Sequence, residues 1–193
     1  DAMYEAIHDG TGNSMYGRYW PQIDSATDDL ITRRQFTEWA THTVSSIDRW
    51  LENTNQFEAL WVGVARANDV MEYVPLIDMD EAAKAAIIGE ARAFRAFCYF
   101  QLVRLWGDMP KVVNSVSSLA DFNLPRSSVD EIYNEIIIPD LQYAEEFGAD
   151  EVHIGRLTKW TAKVILADVY LTRAGWRRTS QGDKVKGDTS NWA

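Results

Sequence analysis

The sequence predicts an all-α fold in which helices pair as hairpins, and three observations support this. Apolar residues recur at three- and four-residue spacings over long stretches, whereas the two-residue alternation of strands is rare. Helix start and stop signals bracket these stretches, for example Ser128-Val-Asp-Glu131, which matches a capping box. Small residues, as in the run AAKAAIIGEARA, fall where helices would cross. Such features are typical of a solenoid in which each hairpin buries its apolar face on the next.

Periodicity and breaker residues place five helices. They are predicted at residues 2–8, 57–73, 80–106, 128–147 and 157–174. Pro75 ends the second helix, and Pro139 is expected to kink the fourth. The apolar face of the fifth is predicted to comprise Trp160, Val164, Ala167 and Leu171. The polar tail at residues 175–189 is predicted to be mobile.

Composition narrows the classes of function. The 193 residues suffice for one domain with a sizeable core, or for part of a larger one. Lysine and arginine total 19 against 29 aspartates and glutamates, giving a net charge of −10. This charge argues against general nucleic-acid binding and against adhesion to an anionic membrane through a basic face. The single cysteine, Cys98, has no partner for a disulfide or thiolate metal site and is interpreted as a buried apolar residue.

The third predicted helix is interpreted as a core helix rather than a membrane span. Its second half, GEARAFRAFCYFQLVRLWGDMP at residues 89–110, has an apolar stripe wider than half the helix. Arginines recur through it, whereas a central charge in a bilayer is costly. Arg92 and Arg95 lie three residues apart and so share one side of the helix. Gly107 and Pro110 provide its stop signal.

Residues 10–56 form a long irregular region, with a short helix possible at 35–51. The region is rich in glycine, serine, asparagine and aspartate, yet it also contains tyrosines and tryptophans, which disordered segments avoid. Long ordered loops inside compact domains tend to be functional. The region is therefore the first candidate for ligand binding.

Catalytic and metal-binding patterns find little support. His8, His42 and His153 are isolated and fit no metalloprotease or triad pattern. The run Asp78-Met-Asp80-Glu81 lacks the glycine and distal glutamate of a calcium loop. Acidic runs in an acidic protein usually form solvated surface. No catalytic residue, metal or cofactor is predicted.

The stretch at residues 89–110 closely resembles the signature helix of the SusD/RagB family. Its matching residues are Glu90, Ala91, Arg92, Arg95, Ala96, Tyr99, Phe100, Leu102, Val103, Trp106, Gly107, Asp108 and Pro110. Further segments resemble family helices in the expected order: WVGVARAN at 61–68, Pro125-Arg126-Ser127 with PDLQYAEE, Gly155-Arg156-Leu157-Thr158-Lys159, and SNWA at 190–193. Family members are considerably longer. The resemblance therefore implies that residues 1–193 are the N-terminal helical domain, with the C-terminal half of the family fold absent.

The resemblance implies a tetratricopeptide-like scaffold of paired helices at residues 57–174 and the long loop region at 10–56. It also implies a surface-exposed outer-membrane lipoprotein that captures a nutrient, usually a glycan, for a SusC-like TonB-dependent transporter. The lipid anchor would lie outside this chain. No enzymatic activity is implied, and Arg92, Arg95, Arg156 and Lys159 are expected to tie helices together rather than touch ligand.

Ligand-binding residues are sought among the aromatic side chains of the 10–56 region, because flat rings stack on the C–H faces of sugars. Trp39 and Trp50 are the first candidates, followed by Tyr19 and Trp20. Two alternatives stay open from the sequence: a helical scaffold that binds peptides or proteins, and a glycan-active helical enzyme. The identity of the glycan and the oligomeric state are not predicted.

Overall fold

The computed structural model describes residues 2–5, 27, 41, 52–115, 123–151, 155–179 and 182–187. The fold is mainly helical, as the sequence predicts. The chain divides into two compact units, Asp1–Gly63 and Val64–Ala193.

In the first unit the structure describes helix α1 (Ala2–Glu5) and the first turns of helix α2 (Glu52–Tyr73). Met3, Gln56 and Leu60 are buried. The rings of Phe57 and Trp61 meet edge to face with their centroids 6.0 Å apart. Helix α2 begins five residues before the predicted start at residue 57 and ends at the predicted residue.

Helix α3 (Glu81–Trp106) is the central helix of the second unit and agrees with its prediction to within one residue. The side chain of Asp80 accepts a hydrogen bond from the Ala83 N–H, which caps the start. Gly107 ends the helix with φ 77°, a conformation that glycine adopts without steric cost. From Gly89 to Val103 every residue is buried except Arg92 and Phe97.

The burial of α3 inside the protein confirms its interpretation as a core helix. Among the helices that the structure describes, none combines the length and hydropathy needed to cross a bilayer.

The fourth predicted helix is a continuous run with an irregular middle. It comprises α4 (Val129–Ile132), a π-helical segment (Tyr133–Ile137) and α5 (Ile138–Phe147). The predicted capping box is present, with reciprocal bonds between Ser128 and Glu131. The widened π turn ends two residues before Pro139, which lacks an N–H and cannot continue a regular helical ladder. The expected core residues of this run are all buried, namely Ile132, Ile136, Leu141 and Ala144.

Helix α6 (Lys159–Ala174) packs on α5, but its predicted core face is wrong. Ala162, Leu166 and Val169 are buried, whereas Trp160, Val164 and Leu171 are 52%, 70% and 61% exposed. Both faces of α6 are apolar, so periodicity alone does not say which one meets α5. The buried face carries no ring, which suits a close approach between two helices.

Among the described residues of the second unit, two short antiparallel strand pairs accompany the helices. Strand β1 (Met109–Pro110) pairs with β2 (Arg126–Ser127), and β3 (Trp176–Arg178) pairs with β4 (Lys184–Lys186). The second pair lies within the tail that the sequence predicts to be mobile, so that prediction is wrong for these residues. The hairpin is stabilised by a turn in which Gly182 has φ 89° and by the ion pair of Arg177 with Asp130 in α4.

Candidate functional site

The predicted ligand-binding residues lie outside the described part of the chain. This holds for Trp39 and Trp50 and also for Tyr19 and Trp20. Their assignment stays a prediction. The described helices show instead how the scaffold is held together and which side chains it leaves on its surface.

A buried polar cluster lies at the centre of the second unit. The Arg95 guanidinium donates from Nε to Oδ2 of Asp140 at 2.7 Å and from Nη2 to Oδ1 at 3.0 Å. Its third nitrogen donates to the side-chain oxygen of Asn68 at 2.7 Å and to the Val113 carbonyl at 3.2 Å. Arg95, Asp140 and Asn68 are each at least 93% buried. The cluster therefore links α2, α3, α5 and the chain after β1.

The same cluster fixes the segment at residues 110–115. The Asn68 amide donates to the carbonyls of Val112 and Asn114, both at 3.0 Å. The Tyr99 hydroxyl accepts from the Val112 N–H at 2.7 Å and donates to the Pro110 carbonyl at 3.1 Å. Burial raises the pKa of Tyr99 to about 12, so the hydroxyl keeps its proton as a donor. The bonds to Val112 and Asn114 satisfy backbone groups that lie outside the helices and strands.

Arg92 lies beside this cluster and contacts an aromatic ring. Its guanidinium carbon is 4.1 Å from the centroid of Tyr143, and its Nη1 is 3.8 Å from Oδ1 of Asp140. Burial raises the pKa of Asp140 above its usual value, and the hydrogen bonds and charge of Arg95, with the charge of Arg92, oppose that shift. The carboxyl of Asp140 thus depends on both arginines for its charged state.

Two further ion pairs connect α3, and the chain just after α5, to the start of α6. Arg156 donates to both oxygens of Glu90, at 2.9 and 2.6 Å. Lys159 pairs with Asp150, and its backbone N–H donates to the Ala149 carbonyl at 3.1 Å. Together with Arg95 and Arg92, these contacts confirm the expectation that the four motif cations tie the scaffold together.

The β3–β4 hairpin is joined to the start of α4 by a charge pair. Arg177 donates to both oxygens of Asp130, at 2.6 and 2.8 Å. This hydrogen bonding holds the pKa of Asp130 below its usual value. A carboxyl with a lowered pKa stabilises the fold above its unfolded pKa and loses that contribution as the pH falls through the folded pKa. The hairpin is therefore anchored at neutral pH and loosens in acid.

The structure exposes two tryptophans that the sequence did not single out as surface aromatics. Trp160, in the first turn of α6, is 52% exposed, and Trp176 in β3 is 72% exposed. Lys159 and Lys163 each place an ammonium 5.1 Å from the Trp160 ring centroid. The position of Trp176 among the basic residues of a polar tail was the one available sequence signal for a surface role.

Chemically, the described side chains form a scaffold with exposed aromatic and charged groups. In that part of the chain, no three histidine, cysteine, aspartate or glutamate residues cluster closely enough to hold a metal ion. Burial strongly raises the pKa of the Cys98 thiol, which disfavours the reactive thiolate. The geometry suits binding through surface side chains.

Comparison with known proteins gives the family. Residues 4–171 match the SusD-like family described as "Starch-binding associating with outer membrane". The chain belongs to the SusD-like family. The match spans the described helices from α1 into α6, and it confirms the resemblance found in the sequence motifs.

Curated SusD-like relatives are considerably longer than this chain. A SusD-like protein of Bacteroides ovatus is 29% identical over 196 residues, which cover 95% of this chain and 35% of the relative. The SusD-like protein P2 of Formosa agariphila is 37% identical over 120 residues, covering 61% of this chain and 24% of the relative. The chain thus spans about a third or less of the length of these relatives.

Solved structures share the fold. A SusD superfamily protein of Parabacteroides distasonis is 33% identical with a TM-score of 0.67, covering 74% of this chain and 30% of that one. A protein crystallised with a xylogluco-oligosaccharide is 26% identical with a TM-score of 0.68, covering 91% and 36%. A laminarin-binding SusD-like protein has a TM-score of 0.77 at 22% identity, covering 90% and 38%, a likeness of fold alone.

Proposed function

We propose that this SusD-like protein binds a glycan at the outer surface of a bacterial outer membrane and passes it to a SusC-like TonB-dependent transporter. The observation that carries the proposal is the family match over residues 4–171, whose description names starch binding and association with the outer membrane. The relative crystallised with a xylogluco-oligosaccharide supports an oligosaccharide as the ligand class. The protein holds the glycan by aromatic stacking and hydrogen bonds, and it makes or breaks no covalent bond.

The scaffold observed in the second unit suits this role. Buried hydrogen bonds to charged side chains fix its helices and the segment at residues 110–115, and a rigid frame presents its surface groups in a defined arrangement. We propose that the ligand is bound in part by aromatic residues of the 10–56 region. Trp39 and Trp50 are the first candidates of this set, and Tyr19 and Trp20 are the next.

Affinity electrophoresis of the full-length protein through native gels containing single polysaccharides tests the proposal. We expect one polymer to retard the protein, and Trp39→Ala or Trp50→Ala to reduce the apparent affinity at least tenfold. A lost stacking platform removes a large apolar contact that also orients the sugar. Val62→Ala, which truncates a half-exposed residue of α2, is the control and should migrate like the parent protein.

The outcomes separate the site from the function. Retardation that survives both tryptophan substitutions would move the site away from Trp39 and Trp50 while retaining glycan binding. If no polysaccharide retards the protein, a glycan ligand is contradicted, and a peptide ligand becomes the better explanation.

A further inference from the structure

The β3–β4 hairpin concentrates positive charge on an acidic protein. Residues 173–187 contain five lysines and arginines and one aspartate, whereas the chain as a whole has a net charge of −10. An isolated basic surface on such a protein attracts anions selectively, because the remaining surface repels them. The hairpin is therefore a part of the described chain that favours a negatively charged ligand.

Strand register sorts the side chains of the hairpin onto two faces. Trp176 pairs with Lys186, and Arg177 pairs with Val185. Directly opposed residues of antiparallel strands share a face, and so do residues two apart along a strand. Lys184 therefore shares the face of Trp176 and Lys186, whereas Arg177 and Val185 lie on the other.

The two faces differ in exposure. Arg177 and Val185 are partly buried, and Arg177 makes its two bonds to Asp130. Trp176 is 72% exposed, and Lys184 and Lys186 are exposed as well. One face thus anchors the hairpin to α4, and the other presents a ring and two cations to solvent.

The outward lysines have no compensating carboxylates within the described part of the chain. By contrast, the lysines around Trp160 are paired: Lys159 with Asp150, and Lys163 with Glu145 at 3.4 Å. The lysines near Trp160 are thus neutralised by carboxylates. The lysines on the face of Trp176 have no such partner among the described residues and can attract an anion. Directly opposed side chains lie roughly 5 Å apart at Cβ, so Trp176 and Lys186 are neighbours on the outward face of the hairpin.

The hairpin is held rigidly enough to present this face. The Gly187 N–H donates to the Gly175 carbonyl at 2.9 Å, and the Thr179 N–H donates to the Asp183 carbonyl at the same distance. A Cβ on Gly187 would lie 1.6 Å from the Arg173 carbonyl oxygen, so only glycine allows the strand to lie against the end of α6. A preorganised surface loses little conformational freedom on binding.

We propose that Trp176, Lys184 and Lys186 form a subsite for an anionic glycan, one that carries uronate carboxylates or sulfate esters. The ring stacks on a sugar face, and the two ammonium groups bind its anionic substituents. This inference rests on the proposed glycan-binding function and adds the charge class of the ligand. The flat exposed ring favours a sugar over an acidic protein as the ligand, because an acidic protein could bind to the two lysines without the ring.

Calorimetric titration of the full-length protein tests the subsite, with polygalacturonate, its methyl ester, dextran sulfate and dextran as probes. We expect binding of polygalacturonate or dextran sulfate, and at least tenfold weaker binding of the neutral counterpart. Lys184→Gln with Lys186→Gln should weaken anionic binding about tenfold, and Trp176→Ala should weaken it similarly. Raising the salt concentration should weaken the binding of anionic polysaccharides by the parent protein, because exposed charges are screened. The stronger of the two anionic probes identifies carboxylate or sulfate as the group that is bound.

Trp160→Ala is the matched control and should leave the affinity unchanged, because the lysines around Trp160 are already paired. Binding of neutral polysaccharides alone would overturn the anionic subsite and leave the proposed function standing. Anionic binding unchanged by the hairpin substitutions would overturn the location of the subsite. Equal competition by polyglutamate would show a general polyanion surface and overturn the assignment to glycans. Binding of no polysaccharide, neutral or anionic, would contradict the proposed function as well.

Discussion

Replacing Arg95 with methionine is expected to lower the free energy of unfolding by about 3–5 kcal/mol, the cost of leaving one charge of a buried pair unpaired. Asp140 is 2% exposed and takes two hydrogen bonds from Arg95. After the substitution, the remaining cation near it is Arg92, 3.8 Å away and outside hydrogen-bond range. The side-chain oxygen of Asn68 and the carbonyl oxygen of Val113 also lose the hydrogen bond that Arg95 donates to them.

The penalty should depend on pH in a defined direction. Burial already raises the pKa of Asp140, and removal of Arg95 raises it further. A carboxyl with a raised folded pKa favours the folded state most below its unfolded pKa, and that contribution is lost as the pH rises through the folded pKa. The Arg95→Met protein should therefore be less impaired near pH 4.5 than near pH 8.

Urea unfolding of the chain, followed by circular dichroism at both pH values, measures these effects. Lys163→Met breaks the half-exposed pair with Glu145 and is the control, with an expected cost of about 0–1 kcal/mol. The double variant Arg95→Met with Asp140→Leu removes both charges and should recover part of the loss. A loss below 1 kcal/mol in the single variant would contradict the assigned role of the cluster.

Replacing Gly148 with alanine is the second large effect, expected to cost about 3 kcal/mol or more, at the upper end of overpacking. A Cβ there would lie 2.3 Å from the Ala144 carbonyl oxygen and 3.1 Å from the Lys159 nitrogen. Both are backbone atoms, at the end of α5 and the start of α6. Gly89 of α3 also approaches Gly148, because a Cβ on Gly89 would lie 3.1 Å from the Gly148 Cα. Three helices thus meet where their chains have no room for a side chain.

Thermal unfolding compares this variant with Gly155→Ala. Gly155 has φ 82° but open space around its Cβ position, so alanine there costs roughly 1 kcal/mol of backbone strain without a steric clash. A melting temperature of Gly148→Ala no lower than that of Gly155→Ala would contradict the close approach of α5 and α6.

Local signals in the sequence predicted the positions of the helices well. The sequence did not predict features that depend on tertiary packing. The limits of α3 follow from a capping aspartate and a terminating glycine, Asp80 and Gly107, which act within a few residues. Which face of α6 is buried depends on how closely α6 approaches α5. The spacing of apolar residues in the sequence carries no information on that approach. The β3–β4 hairpin depends on the pairing of Arg177 with Asp130, 47 residues apart, and its composition alone resembles a mobile tail.

The candidate site shows the same division. The role of Arg95 as a tie between helices was predictable, because a buried cation requires partners and the motif places Arg95 on a core helix. The tie between Arg156 and Glu90 was expected from the family resemblance alone, since Arg156 is exposed and precedes α6. For Trp176 the sequence offered only its position among basic residues, because the face that the ring takes depends on the strand register with Lys186. Trp39 and Trp50 remain predictions from composition and loop length.

The most direct measurement combines binding with a test for turnover. The full-length protein is titrated calorimetrically with neutral and anionic oligosaccharides, and each mixture is then incubated and its sugars are sized by mass spectrometry. We expect saturable binding of at least one oligosaccharide with its chain length unchanged. Shortened products, or no binding by any oligosaccharide, would contradict a glycan-capturing role.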